Sequence, residues 1–218
     1  MNKGDSMHYP SNLLKSVLSD IKEMRLEGFV EGQGPIKPKL MLIGEAPGRE
    51  EIKKGIPFCG RAGKHLMKSL ENIGLERRDV YITSTVRSRP YSVKKVIDTD
   101  TNKEKILYPN RPPTKKEQQI FAPILDWEIE NSCPELIITL GSVSLQRLLN
   151  SKVKLSDVHG TIIKSPIKKL SDDGHSYIFS KKEYVIIPNY HPAALFYNGS
   201  LKITIEEDWK VVEKYLKK

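Results

Sequence analysis

The stretch LMLIGEAPGREEIKKGIPFCGRAGKHLMKSLENIGLERRDVYITSTV, residues 40–86, decides the fold. It opens with a four-residue apolar run, 40–43, which stops at Gly44 and has the length of a buried strand. Residues 62–73 place Leu66, Leu70 and Ile73 on one helical face, and Gly74 ends the helix. Residues 80–86, VYITSTV, are rich in β-branched types and read as the next strand.

The same alternation continues on both sides. Upstream, residues 11–25 set Leu14, Val17, Ile21 and Met24 at helical spacing. Downstream, residues 114–131 read as a helix with a kink or break at Pro123. A third strand spans 135–140, ended by Gly141, and a short helix spans 143–149. A fourth strand, YVIIP, spans 184–188. Thr204 and Glu207 have the spacing of a capping box, which predicts a last helix from there to Leu216. Strands alternating with helices predict an α/β fold with a mostly parallel sheet covered on both faces. No internal repeat or long linker interrupts the pattern.

A chain of 218 residues suffices for one well-buried domain and would cramp a second, so a single domain over 1–218 is expected. Hydrophobic residues at 38% and charged residues at 29% read as globular, and no apolar run approaches a membrane span. The first ten residues do not resemble a signal peptide. Cys59 and Cys133 make no disulfide framework, so an intracellular (cytoplasmic) home is expected. The net charge of +9 is the kind of excess that a polyanion such as nucleic acid attracts, although part of it is ordinary solvated surface.

Parallel sheets place ligands at the carboxyl ends of their strands. Three of those ends carry unusual chemistry: Gly44-Glu45-Ala46-Pro47-Gly48, Ser84 running on to Arg87-Ser88-Arg89-Pro90, and Asn189-Tyr190-His191-Pro192. Each alone is an ordinary turn. Together they bring a carboxylate, a small hydroxyl and an imidazole toward one rim. Other site motifs fail. The run from Gly55 to Arg61 has the glycine spacing of a phosphate loop, but Arg61-Ala62 stands where Lys-Ser/Thr is needed. No nucleophile elbow is present, and two isolated cysteines give no zinc site.

Residues 44–90 resemble the core of the family 4 uracil-DNA glycosylases. The stretches NRPPTKKE (110–117), PELIITLGSVSLQRLL (134–149), HPAAL (191–195) and the closing DWKVVEKYL follow in the same order. The resemblance covers most of the chain from about residue 16 onward. It implies a three-layer α/β/α sandwich around a parallel four-stranded sheet. It implies an enzyme that hydrolyses the N-glycosidic bond of uracil in DNA, acting as a monomer on DNA and away from membranes. It places Glu45, Glu51 and His191 in catalysis, and Ala46, Phe58, Ser84 and Asn189 around the base. Phe58 would stack on the extruded base, and His191 would face uracil O2. Arg61, Lys64, Arg87 and Arg89 are the candidate phosphate contacts, and Ala194 with Leu195 the loop that enters the DNA.

Two departures accompany the resemblance. The family holds a [4Fe–4S] cluster through four cysteines, but Ser16, Ser19, Ser88 and Phe121 stand at those positions and none offers a thiolate. No cofactor or metal is therefore expected. The chain is also enlarged near Tyr91–Tyr108, where a polar DTDTN centre between alternating segments predicts a β-hairpin. Second, the family's base-reading asparagine is replaced by Ser84, whose single hydroxyl cannot present donor and acceptor together as an amide does. A glycosylase for another deaminated base such as hypoxanthine, or a non-catalytic damage-binding module, are the alternatives this leaves.

Overall fold

The computed structural model describes residues 7–99 and 102–218. In chain order the elements are α1 (Ser11–Asp20), β1 (Leu26–Glu27), β2 (Leu40–Gly44), α2 (Arg49–Lys54), α3 (Arg61–Asn72), β3 (Val80–Ser84), β4 (Arg89–Pro90), β5 (Lys94–Ile97), β6 (Glu104–Leu107), α4 (Lys115–Ser132), β7 (Leu136–Leu140), α5 (Ser142–Leu148), α6 (Leu155–Val158), β8 (Ile163–Leu170), β9 (Tyr177–Asn189) and α7 (Leu201–Leu216). Short 3-10 turns span Arg77–Asp79 and Pro192–Phe196.

β2, β3 and β7 are buried along their whole length, as strands covered on both faces must be. The central sheet has the order β3-β2-β7-β9-β8. The first four strands run parallel, and β8 lies antiparallel to β9. Alternate side chains feed two cores. Leu40, Leu42, Ile82, Ile138 and Ile187 pack with Leu66 and Leu70 of α3 and with Trp209 and Val212 of α7. Met41, Ile43, Ile137 and Ile186 pack with Leu125 and Ile129 of α4 and with Leu145 and Leu148 of α5. Helices thus cover both sheet faces, which makes the three layers. No helix among the described residues is long and apolar enough to cross a membrane.

The structure corrects several boundaries. The sheet has five strands, not four, because the antiparallel edge strand β8 joins it. β8 (IKSPIKKL) is broken by Pro166 and lysines, and the outer half of β9 (YIFSKKE) is similarly polar. Proline and charge belong on an edge strand, but they erase the alternation that reveals one. α4 runs unbroken through Pro123, opened by reciprocal bonds between Thr114 and Glu117 at 3.2 and 2.7 Å. α7 begins at Leu201, one turn before the expected cap, so Thr204 and Glu207 lie inside it. The expected hairpin is present as β5 and β6. Residues 100–101, within the DTDTN centre expected at its turn, and residues 1–6, lie outside the described residues.

Candidate active site

Parallel pairing sets the strand ends level. Gly44 lies opposite Ser84, and Leu140 opposite Asn189. Alternation from Leu42, Ile82 and Ile187 puts Gly44, Ser84 and Asn189 on the sheet face that carries α3 and α7. Beside Ser84 opens a cavity of about 580 Å³, lined among others by Glu45, Glu51, Phe58 and His191. A neighbouring hollow of about 530 Å³ shares Glu45 and His191 and reaches Ser142, Gln146, Lys154 and Tyr190.

Phe58 is set by two glycines. A Cβ on Gly44 would lie 2.6 Å from the Phe58 ring, and one on Gly63 would lie 1.8 Å from its carbonyl oxygen. Phe58 itself has φ 51°, in the left-handed region unusual for an aromatic residue. Its ring lies 5.6 Å from that of His191, tilted by 35°. The loop is clipped by Glu51, whose carboxylate accepts N–H from Gly48 at 3.1 Å and from Gly60 at 2.8 Å. Both oxygens of Glu51 therefore serve backbone N–H groups, one in the loop before α2 and one in the loop that carries Phe58.

Glu45 differs. It is half-buried, and burial alone pushes its carboxyl above the usual carboxylate range. Among the described residues no group donates a hydrogen bond to that carboxyl. His191 accepts the Ala193 N–H on Nδ1 at 3.1 Å. Burial lowers its pKa to about 4, against a weaker opposing pull from Glu51. At neutral pH the ring is uncharged, and an Nδ1 that accepts leaves the proton on Nε2. The Ser84 hydroxyl donates to the Val86 carbonyl at 2.8 Å. Asn189 is fully buried, and neither amide atom finds a partner among the described residues.

Residues 31–216 match the sequence profile of the Uracil DNA glycosylase superfamily. The chain belongs to that superfamily. A type-4 uracil-DNA glycosylase of Sulfurisphaera tokodaii is 35% identical over 208 residues, 92% of this chain and 82% of that protein. One from Archaeoglobus fulgidus is 35% identical over 84% of this chain and 80% of its own length. Another, from Thermotoga maritima, is 32% identical over 87% and 83% respectively.

As a superfamily member the chain shows which of its basic residues face outward. Arg61 is exposed at the start of α3, its guanidinium 4.4 Å above the Phe196 ring, and Lys64 is exposed one turn on. Arg87 and Arg89, expected at phosphates, are instead buried, at 1% and 3% exposure. Arg87 bonds the Ser84 carbonyl and the buried Glu128, which also accepts from Tyr9, Tyr81 and Thr83. Arg89 is held by Glu27, Asn110 and the Tyr108 carbonyl. Ala46 and Ala194 are half-buried at the rims of the two hollows. Leu195 packs against the core beside α3 and α7, whereas Tyr197, two residues on, is 91% exposed and lines the larger cavity. Tyr197 and Arg111 are site residues that the sequence reading did not single out. Their only signals were that Tyr197 lies two residues after HPAAL and that Arg111 lies within NRPPTKKE.

The four residues that the resemblance sets at the cluster positions offer no thiolate and do not fit an iron–sulfur group. Ser16 and Ser19 are exposed on α1, and the Ser88 hydroxyl donates to the Gly28 carbonyl at 2.5 Å. Phe121 is buried with Tyr9, Val17, Ile21 and Val86, its ring 6.4 Å from Phe29. Cys59 sits in the loop before α3 and Cys133 at the end of α4, neither beside these positions in the chain.

Proposed function

We propose that this chain excises uracil from DNA by hydrolysing the bond between the base and C1′, leaving an abasic site. The observation that carries the reading is His191, a neutral imidazole whose Nε2–H is available within the cavity beside Phe58. Rupture of the N1–C1′ bond leaves negative charge on uracil and positive charge on the sugar. A fixed donor at O2 stabilises the departing anion. A charged imidazolium would be costly to bury, and a neutral ring already donates.

Among the carboxylates, Glu45 is assigned to the water that adds to C1′, because its oxygens are uncommitted and it borders both hollows. It accepts the proton the water loses. Glu51 is assigned to positioning, because both its oxygens are bound to backbone N–H groups. The extruded base stacks on Phe58, and base extrusion supplies the reach that a duplex denies. Arg61 and Lys64 face the backbone, and the Pro192–Tyr197 turn meets the duplex. The chain acts as one domain and without a cluster, the apolar packing around Phe121 standing where cysteines would be.

A second reading concerns the base. With its proton given to Val86, Ser84 offers only lone pairs to the cavity, so it can accept from a base N–H but leaves O4 unread. Tolerance for a second deaminated base, such as hypoxanthine, follows from that. Single-turnover excision on uracil and hypoxanthine oligonucleotides tests both readings. His191→Ala should slow uracil excision by about 10²–10³ with DNA binding little changed. Equal rates in parent and variant would overturn the role of His191, and no excision by the parent would overturn the activity.

A further inference from the structure

The ribbon of β5 and β6 contributes no residue to either hollow of the candidate site. Its strands pair from Lys94 with Leu107 to Ile97 with Glu104. The pairing continues below them through Ser92 N–H to the Pro109 carbonyl at 2.9 Å and the Tyr91–Asn110 bridge. The base is clamped. The Tyr108 carbonyl accepts from Arg89 and from Arg49, and Asn110 accepts from Arg89 at 2.5 Å. Pro90, Asn110 and Arg111, at the foot of the ribbon, line the larger cavity. The ribbon therefore rises from the cavity rim with its root fixed.

Beyond that root it is bare. Val96 is half-buried and the other strand residues are exposed. A two-stranded ribbon standing alone is marginally stable, so apolar side chains on it contribute little to its own folding. Yet Ile97 is 69% exposed and Ile106 48%. Lys95 pairs with Glu104 at 2.7 Å and Lys105 approaches Asp98 at 3.9 Å, while Lys94 and Lys103 form no ion pair among the described residues.

We propose that this ribbon is a contact surface for duplex DNA beside the extruded nucleotide. The proposal rests on DNA being the substrate. A two-stranded ribbon has the width that the major groove admits, and apolar side chains there meet thymine methyl groups. Lys94 and Lys103 supply cations for the flanking phosphates. DNA that delivers a base to the cavity must pass the rim from which the ribbon rises. A single strand has no groove, so the contribution is confined to duplex.

Two variants test this. In the first, Lys94–Leu107 is replaced by Asn-Gly, which closes Val93 on Tyr108 in the existing register. The second is Lys94→Ala with Lys103→Ala in the intact ribbon. Binding to a uracil-containing duplex is measured against salt, and single-turnover excision is measured on duplex and on single strand. The shortened protein should bind duplex about tenfold more weakly or worse, with single-strand excision unchanged. The double variant should lose about 1.8 from the slope of log K against log salt, two contacts at about 0.9 each. Parental duplex affinity and slope in both variants would overturn the proposal and leave the ribbon edge to a polypeptide partner. If the shortened variant also loses single-strand excision, its fold is damaged and the double variant decides. A parent that excises nothing would sink the uracil reading, while the duplex-binding comparison still judges the ribbon.

Discussion

At the scale of the residue, Ser84 and Asn189 are the two candidates for reading the base in the proposed function. Ser84 gives its proton to Val86, and Asn189 is buried with both amide atoms unpartnered. An unpartnered buried amide costs about 1–3 kcal/mol, a cost relieved by a water or by a ligand edge. Ser84→Asn should raise uracil excision and narrow the substrate range, read on uracil and hypoxanthine oligonucleotides. A fall in uracil excision instead, together with loss of uracil preference in Asn189→Ala, would transfer base recognition to Asn189. His191 also ties function to stability. Its folded pKa of about 4 lies below the ordinary 6.5, so the unfolded chain binds the proton more readily between those values. The stability is fully present above pH 6.5 and is lost as pH falls toward 4. His191→Gln should flatten that part of the curve in denaturant unfolding, and an unchanged slope would contradict a buried neutral imidazole. Because burial raises Glu45, the acid limb of the excision rate should lie above the usual carboxylate range and vanish in Glu45→Gln.

At the scale of the element, the strand ends are held by polar groups from other parts of the fold. Glu128 of α4 gathers Tyr81 and Thr83 of β3, Tyr9 near the start of the chain, and Arg87, whose other arm reaches the Ser84 carbonyl. The loop that follows β3 is thereby fixed from beneath. Removing one partner strands a buried charge, so Glu128→Ala should destabilise the protein by about 3–5 kcal/mol in denaturant unfolding. The exposed Arg78–Glu76 pair is a control, because breaking it should cost about 0–1 kcal/mol. Similar losses in both would show that the buried network does not organise the loop. The apolar periods of β2, α3, β3 and β7 made those elements legible, because their side chains face one uniform environment. β8, the outer half of β9 and the onset of α7 were not legible, because edge strands and solvent-facing turns leave no such period.

At the scale of the whole molecule, the net charge of +9 and the missing thiolates frame two expectations. DNA binding should weaken linearly in log K against log salt, by about 0.9 per phosphate contact on duplex. A slope near zero would remove nucleic acid as the ligand. Purified without oxygen, the protein should be colourless and carry no stoichiometric iron. About four irons per chain would overturn the assignment, since four protein cysteines are the usual holders of such a cluster. The packing around Phe121 is aromatic: Tyr9 packs edge-on against Phe29 and Trp127, and Phe29 lies beside Phe121.

The sequence by itself determined the α/β alternation, the parallel sheet, the superfamily resemblance, and Glu45, Ser84 and His191 as residues of one rim. Those follow from local period and from motifs that are contiguous in the chain. Only the tertiary structure decided what each polar atom is free to do. It bound both Glu51 oxygens to the amides of Gly48 and Gly60 and left Glu45 open. It withdrew Arg87 and Arg89 into the interior, turned Leu195 to the core and left Tyr197 outside. A charge or a hydroxyl has the same letter whether it is buried or solvated. Its partners come from strands and helices distant in sequence, so its availability is fixed only when the chain is packed.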